Sequence, residues 1–99
     1  MPEVLILEFS DVDPALYDAV NEKLGLNQVT GEGDWPDGLT MHLGASHADG
    51  NGLTVVEVWV SREAQDAFMT SRLGPALGQA GAPEPSRADW MPLKGYHVS

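Results

Sequence analysis

The sequence predicts an α+β fold in which two helices alternate with four strands in the order βαββαβ, the strands forming one antiparallel sheet. Three observations predict it. Val55 to Phe68, read as V-V-E-V-W-V-S-R-E-A-Q-D-A-F, carries a β-branched strand directly into a capped amphipathic helix. Gly38 to Gly52 supplies the first arm and the turn of a hairpin that ends in that same strand. An earlier strand and helix precede both.

Val4 to Phe9 is rich in strand formers and apolar on both faces except at Glu8, as a central strand is. Asp13 followed by Pro14 is a helix start, Leu16, Val20 and Leu24 recur at helical spacing, and Gly25 offers a stop. Asn27 to Gly38 contains glycines, a proline and no period, so it reads as a long surface loop whose one large apolar residue, Trp35, is placed to act as a lid. Leu39 to Ser46 and Leu53 to Val60 flank the turn His47-Ala-Asp-Gly-Asn-Gly52 and pair as a hairpin. If Ser46 meets Leu53, then Leu43 faces Val56 and Met41 faces Val58, while His42 faces Glu57 and Thr40 faces Trp59 on the opposite side. Met41, Leu43, Val56 and Val58 form the more natural helix-side core.

Ser61 caps the second helix, with Ala64, Ala67, Phe68 and Leu73 as its buried stripe, and Gly74-Pro75 is expected to break it. A short turn from Ala76 to Ala80 and a stiff linker from Gly81 to Pro85 lead to a last strand, Ala88 to Val98, which Pro92 interrupts or confines to an edge. This is the plan of a ferredoxin-like half-barrel.

Ninety-nine residues make one domain, 1–99. A chain of this size buries only about 60–65% of its unfolded surface, so a second copy covering the sheet would help it. Fifteen acidic against five basic side chains give a net charge of −10, which argues against nucleic acid and anionic membranes as partners. Without cysteine there is neither a disulfide framework nor a thiolate nucleophile, and a reducing cytoplasm fits. The first apolar run is bracketed by Glu3 and Glu8 and fits neither a signal peptide nor a spanning helix.

His42 with Glu57 is the sharpest constellation, because a carboxylate beside an imidazole fixes its tautomer and readies it to take a proton from a phenol or an activated carbon. The pair reads either as catalytic or as a satisfied polar pair in a dimer seam. Gly44 on the same face leaves room for a ligand. Tyr17, Trp35, Trp59 and His97 are the candidate substrate-binding residues, with core packing as the other reading for Tyr17 and Trp59 and solvation for His97. His47 lies in a turn and carries no role. No histidine has a carboxylate at ligating spacing, so no metal site is expected. A serine elbow, a phosphate loop and paired glycosidase carboxylates are all missing from the sequence.

Several phrases together resemble the dimeric α/β-barrel superfamily: Gly38-Leu-Thr-Met-His42 after an acidic loop, Val58-Trp-Val-Ser-Arg-Glu-Ala64 followed by Phe68, Arg72-Leu-Gly-Pro-Ala-Leu77, and His97 near the end. The nearest likeness is to small proteins related to the antibiotic-biosynthesis monooxygenase group. The resemblance implies a homodimer with sheets packed face to face and a pocket between sheet and helices; no cofactor is expected, because the sequence carries no cofactor motif and an oxygenase of this kind needs none. It specifies fold better than chemistry. Haem degraders of the superfamily carry a tryptophan and a ligating histidine where this chain has Phe68 and Gly78, which argues against that branch. Two functions remain: a cofactor-independent oxygenase, isomerase or cyclase acting on a small aromatic or polyketide-like molecule, or a non-catalytic binder or carrier.

Overall fold

The structure, a computed structural model, describes residues 2–97. Strand β1 (Glu3–Ser10) is followed by helix α1 (Ala15–Leu24), the hairpin β2 (Leu39–Ser46) and β3 (Gly52–Trp59), helix α2 (Arg62–Phe68), a π-helical turn (Met69–Leu73), helix α3 (Gly74–Ala80) and β4 (Arg87–Pro92). The sheet order is β2-β3-β1-β4, with every neighbouring pair antiparallel. This is the ferredoxin-like α+β arrangement that the pattern predicts.

Helix α1 begins where Asp13 accepts a hydrogen bond from the Ala15 amide at 2.9 Å, and ends at Gly25, whose φ of 74° lets its N–H fold back onto the carbonyls of Asn21 and Glu22. Ser61 caps α2 through the Ala64 amide. The predicted stripe of α2 is corrected at two positions: Ala67 is exposed and Gln65 is buried.

Gly74-Pro75 does not break the helix. Proline has no N–H to offer the carbonyl four residues back and its ring crowds that carbonyl, so an α-helical register cannot continue through it. The chain widens by one residue instead, and the Gly74 amide bonds to Met69 O, five residues back, before α3 resumes.

The hairpin register is as predicted except at its start. His42 faces Glu57 and Leu43 faces Val56, but a bulge between Leu39 and Met41 sets Leu39, not Thr40, opposite Trp59. Thr40 turns its hydroxyl to Val58 O at 3.1 Å. The last strand stops at Pro92, since proline cannot donate to the ladder; its predicted end at Val98 lies outside the described residues.

The helices cover the opposite sheet face from the one predicted. Leu5, Val20, Leu24, Trp59 and Phe68 form the main core, with Phe9, Val12 and Leu53 as a second cluster beside it. The larger side chains decide this: Trp59, fully buried, and Phe9 sit on the His42 and Glu57 side of the sheet and bury more area than the valines opposite. Leu43, 45% exposed, and Met91, 39% exposed, remain on the uncovered face.

At the rim of the sheet Arg62 joins three elements. Its guanidinium donates to both Glu3 carboxylate oxygens, at 2.8 and 2.9 Å, and lies 5.3 Å from the ring centre of Trp90. The ion pair holds the Glu3 carboxyl below its ordinary range. Among the described residues, no helix is long and apolar enough to cross a membrane.

Candidate functional site

Because the helices pack on the odd-numbered face of β3, Glu57 and its ladder partner His42 lie beneath α1 and not on the open sheet. Glu57 is 4% exposed. Both of its oxygens are engaged, Oε2 with His42 Nδ1 at 2.8 Å and Oε1 with the Trp59 indole N–H at 3.0 Å. As a carboxylate Glu57 can only accept, so in the neutral imidazole the hydrogen belongs on Nδ1 and Nε2 keeps its lone pair. That lone pair accepts the Tyr17 hydroxyl at 2.8 Å.

Tyr17, His42, Glu57 and Trp59 thus form one unbroken row of hydrogen bonds drawn from α1, β2 and β3. Tyr17 stacks on the imidazole at 5.9 Å and 22°, and Trp35 from the long loop meets it at 5.8 Å and 56°. Burial pushes the Tyr17 phenol above its ordinary range; hydrogen bonding from the nearby Asn21 side-chain amide opposes the rise, and the Glu57 and Asp18 carboxylates add to it.

The row borders a cavity of about 100 Å³ between sheet and helices. Its wall is apolar, built from side chains such as Leu16, Val20, Leu53, Val55, Phe68 and Leu77, and its polar groups are Tyr17, Asn21, His42 and Glu57. The π-helical turn contributes Met69 and Leu73. Trp35 and Pro36 stand between this cavity and an outer groove that Asp34, Ala64 and Arg72 line. The Trp35 loop is held in shape by its own bonds: the indole N–H donates to Gly31 O at 2.9 Å, and Asn27 Oδ1 accepts from the Val29 and Thr30 amides. An apolar chamber with a proton-accepting nitrogen in one wall can bind a small ring and deprotonate a hydroxyl on it.

No protein-family model and no curated protein matches the chain. Solved structures do. A candidate antibiotic biosynthesis monooxygenase from Chloroflexus aurantiacus aligns over 100% of both chains at a TM-score of 0.68 and 16% identity. The chain has the fold of the antibiotic-biosynthesis-monooxygenase-like proteins. Rv0793 from Mycobacterium tuberculosis covers 100% of this chain and 99% of its own, with a TM-score of 0.62 and 21% identity. A variant of SnoaB from Streptomyces nogalater, described as a cofactor-independent oxygenase, covers 96% and 95% with a TM-score of 0.65 and 10% identity.

Within this fold the candidate residues separate. His42, Glu57, Tyr17 and Trp35 converge on the cavity. Trp59 stands behind them as a donor to Glu57 and does not line it. His97 is exposed and away from the cavity. His47 bonds to Thr54 Oγ1 at 2.9 Å, a turn contact. Gly44 makes room not for a ligand but for the Tyr17 ring. Asn21 was missed, although the sequence carried a signal: it follows Tyr17 by four residues and precedes Leu24 by three, so all three share one side of α1. Among the described residues, no group of three or more His, Cys, Asp or Glu side chains is placed to hold a metal ion.

Proposed function

We propose that this protein is a cofactor-independent oxygenase acting on a small aromatic molecule bound in the cavity under α1, with His42 as general base. The observation that carries the reading is the Tyr17–His42–Glu57–Trp59 row, which turns the unprotonated imidazole nitrogen toward an apolar chamber. A substrate hydroxyl that displaces the Tyr17 hydroxyl from Nε2 gives up its proton there, and Glu57 steadies the resulting imidazolium. The electron-rich phenolate then passes one electron to dioxygen, and the radical and superoxide join at ring carbon. Loss of water from that hydroperoxide leaves a quinone, so one phenol and one dioxygen give one quinone and one water. The likeness of fold to SnoaB supports the class of reaction.

A second reading, a non-catalytic carrier, draws support from the completeness of the row: Tyr17 already satisfies Nε2, so the pair needs no substrate to be stable. Oxygen uptake decides between them. Wild-type protein with a bound phenol consumes dioxygen and His42→Ala does not, if the first reading holds; binding without uptake in either protein establishes the carrier.

We also infer that the active form is a homodimer joined through the open sheet face, where Leu43 and Met91 are exposed beside the half-buried Met41, Val4, Ile6 and Val56.

A further inference from the structure

Asn21 is 7% exposed, and its amide nitrogen is buried with no hydrogen-bond partner. A buried amide left unpaired costs about 1–3 kcal/mol and is rare in a folded chain. Its neighbours do not explain it. The carbonyl of the same residue closes the helix end through Leu26 and Gly25, which fixes the backbone but leaves the side chain free. Tyr17, one turn earlier, spends its hydroxyl hydrogen on His42; the Asn21 amide lies close enough to the Tyr17 oxygen to favour the phenolate, but Nδ2 makes no hydrogen bond of good geometry with it or with any other acceptor. What Asn21 does face is the apolar cavity.

We propose that Asn21 is the residue through which the cavity selects its ligand: the amide donates to a carbonyl or similar acceptor oxygen on a single-ring molecule whose hydroxyl lies against Tyr17 and His42. Two features set the class. The cavity volume of about 100 Å³ is smaller than the roughly 150 Å³ of an apolar chamber that holds one benzene ring, so a single small ring already fills it with slight widening and fused polycycles do not fit. The polar groups are confined to α1 and the facing hairpin, so a ligand with two oxygen functions on one side matches them while the rest of its surface meets leucine, valine and phenylalanine. An unpaired donor in such a wall discriminates strongly, because a ligand without the matching acceptor leaves it unpaired still. The inference rests on the cavity being the ligand site, but not on His42 acting as a base.

The test is a titration of ¹⁵N-labelled protein with meta-hydroxybenzaldehyde and with meta-cresol, which differ in the carbonyl. Wild-type protein is expected to bind the aldehyde about 10-fold more tightly, with the Asn21 side-chain NH₂ resonance moving only for that probe. Asn21→Leu removes the donor at similar volume; it should abolish the preference, leave cresol affinity unchanged and keep the melting temperature at or above wild type. Asn21→Ala repeats the measurement should leucine crowd the cavity. Equal affinities for the two probes in wild-type protein, or a parallel loss of both in the variants, overturns the role of Asn21 while leaving the cavity as a ligand site. If neither probe shifts any cavity resonance, the ligand site itself is refuted.

Discussion

Gly44 and Tyr17 claim the same space on the sheet: a Cβ at position 44 would lie 2.6 Å from both Cε1 and Cζ of the Tyr17 ring. The glycine on β2 is therefore what allows a tyrosine on α1 to lie flat enough on the sheet to reach His42. Gly44→Ala is expected to push the ring aside and break the Tyr17–His42 hydrogen bond, at a cost of about 1–3 kcal/mol in stability from overpacking. Chemical denaturation measures the loss. A variant as stable as wild type, with the His42 ring resonances unchanged, would show that the ring has other room.

His42→Ala removes one of the two partners of a carboxylate that is nearly inaccessible to water. Stability should fall by about 1–3 kcal/mol whatever the function, so melting temperature alone does not separate a catalytic pair from a structural one. Turnover does: a positioned base is worth about 10²–10⁴-fold, and Glu57→Gln should cost less because the amide can still bond to His42. Steady-state oxygen uptake, compared at equal fractions folded, reads the difference.

Tyr17 makes alkaline stability a second probe of the row. Its folded-state phenol ionises above the usual value of about 10, so the unfolded chain releases that proton first. The stability it protects is complete below about pH 10 and is lost as pH rises through the folded-state value. Unfolding free energy should therefore drop more steeply above pH 10 in wild type than in Tyr17→Phe. Parallel curves in urea would contradict the buried, hydrogen-bonded placement.

Pro75→Ala restores the amide that the helix lacks. The π-helical turn then loses its cause, and the segment is expected to tighten toward a continuous α-helix, which draws Met69 and Leu73 out of the cavity wall and alters ligand affinity several-fold. Gly74→Ala instead keeps the wide turn and places a Cβ 2.8 Å from Met69 O, destabilising the fold by about 1 kcal/mol or more. Opposite signs of the two changes in thermal melting are the expected result.

Light scattering at micromolar concentration should return twice the chain mass. Replacing Leu43 with lysine should return the single-chain value without disturbing the cavity, since Leu43 points away from it.

Much of this was legible because turns fix register. The composition of the turn from His47 to Gly52 set His42 against Glu57 before any contact was known, and the bulge that moved Thr40 left that pair untouched. The covered face of the sheet was harder to read. β1 is apolar on both sides, Val4 and Ile6 on one and Leu5, Leu7 and Phe9 on the other, so its pattern does not name the side that the helices take. The contact between Tyr17 and His42 joins residues 25 positions apart on different kinds of element, and no period in the chain announces such a meeting. Pro75 reads as a stop because proline usually is one, although a one-residue widening solves the same missing bond.

The indole of Trp35, resting against His42, gives the site an optical signal of its own. A protonated imidazole quenches a neighbouring indole and a neutral one does so far less. Emission from Trp35 should therefore dim when His42 gains a proton and brighten when it loses one, so that each proton arriving at this nitrogen is reported in light without any added dye.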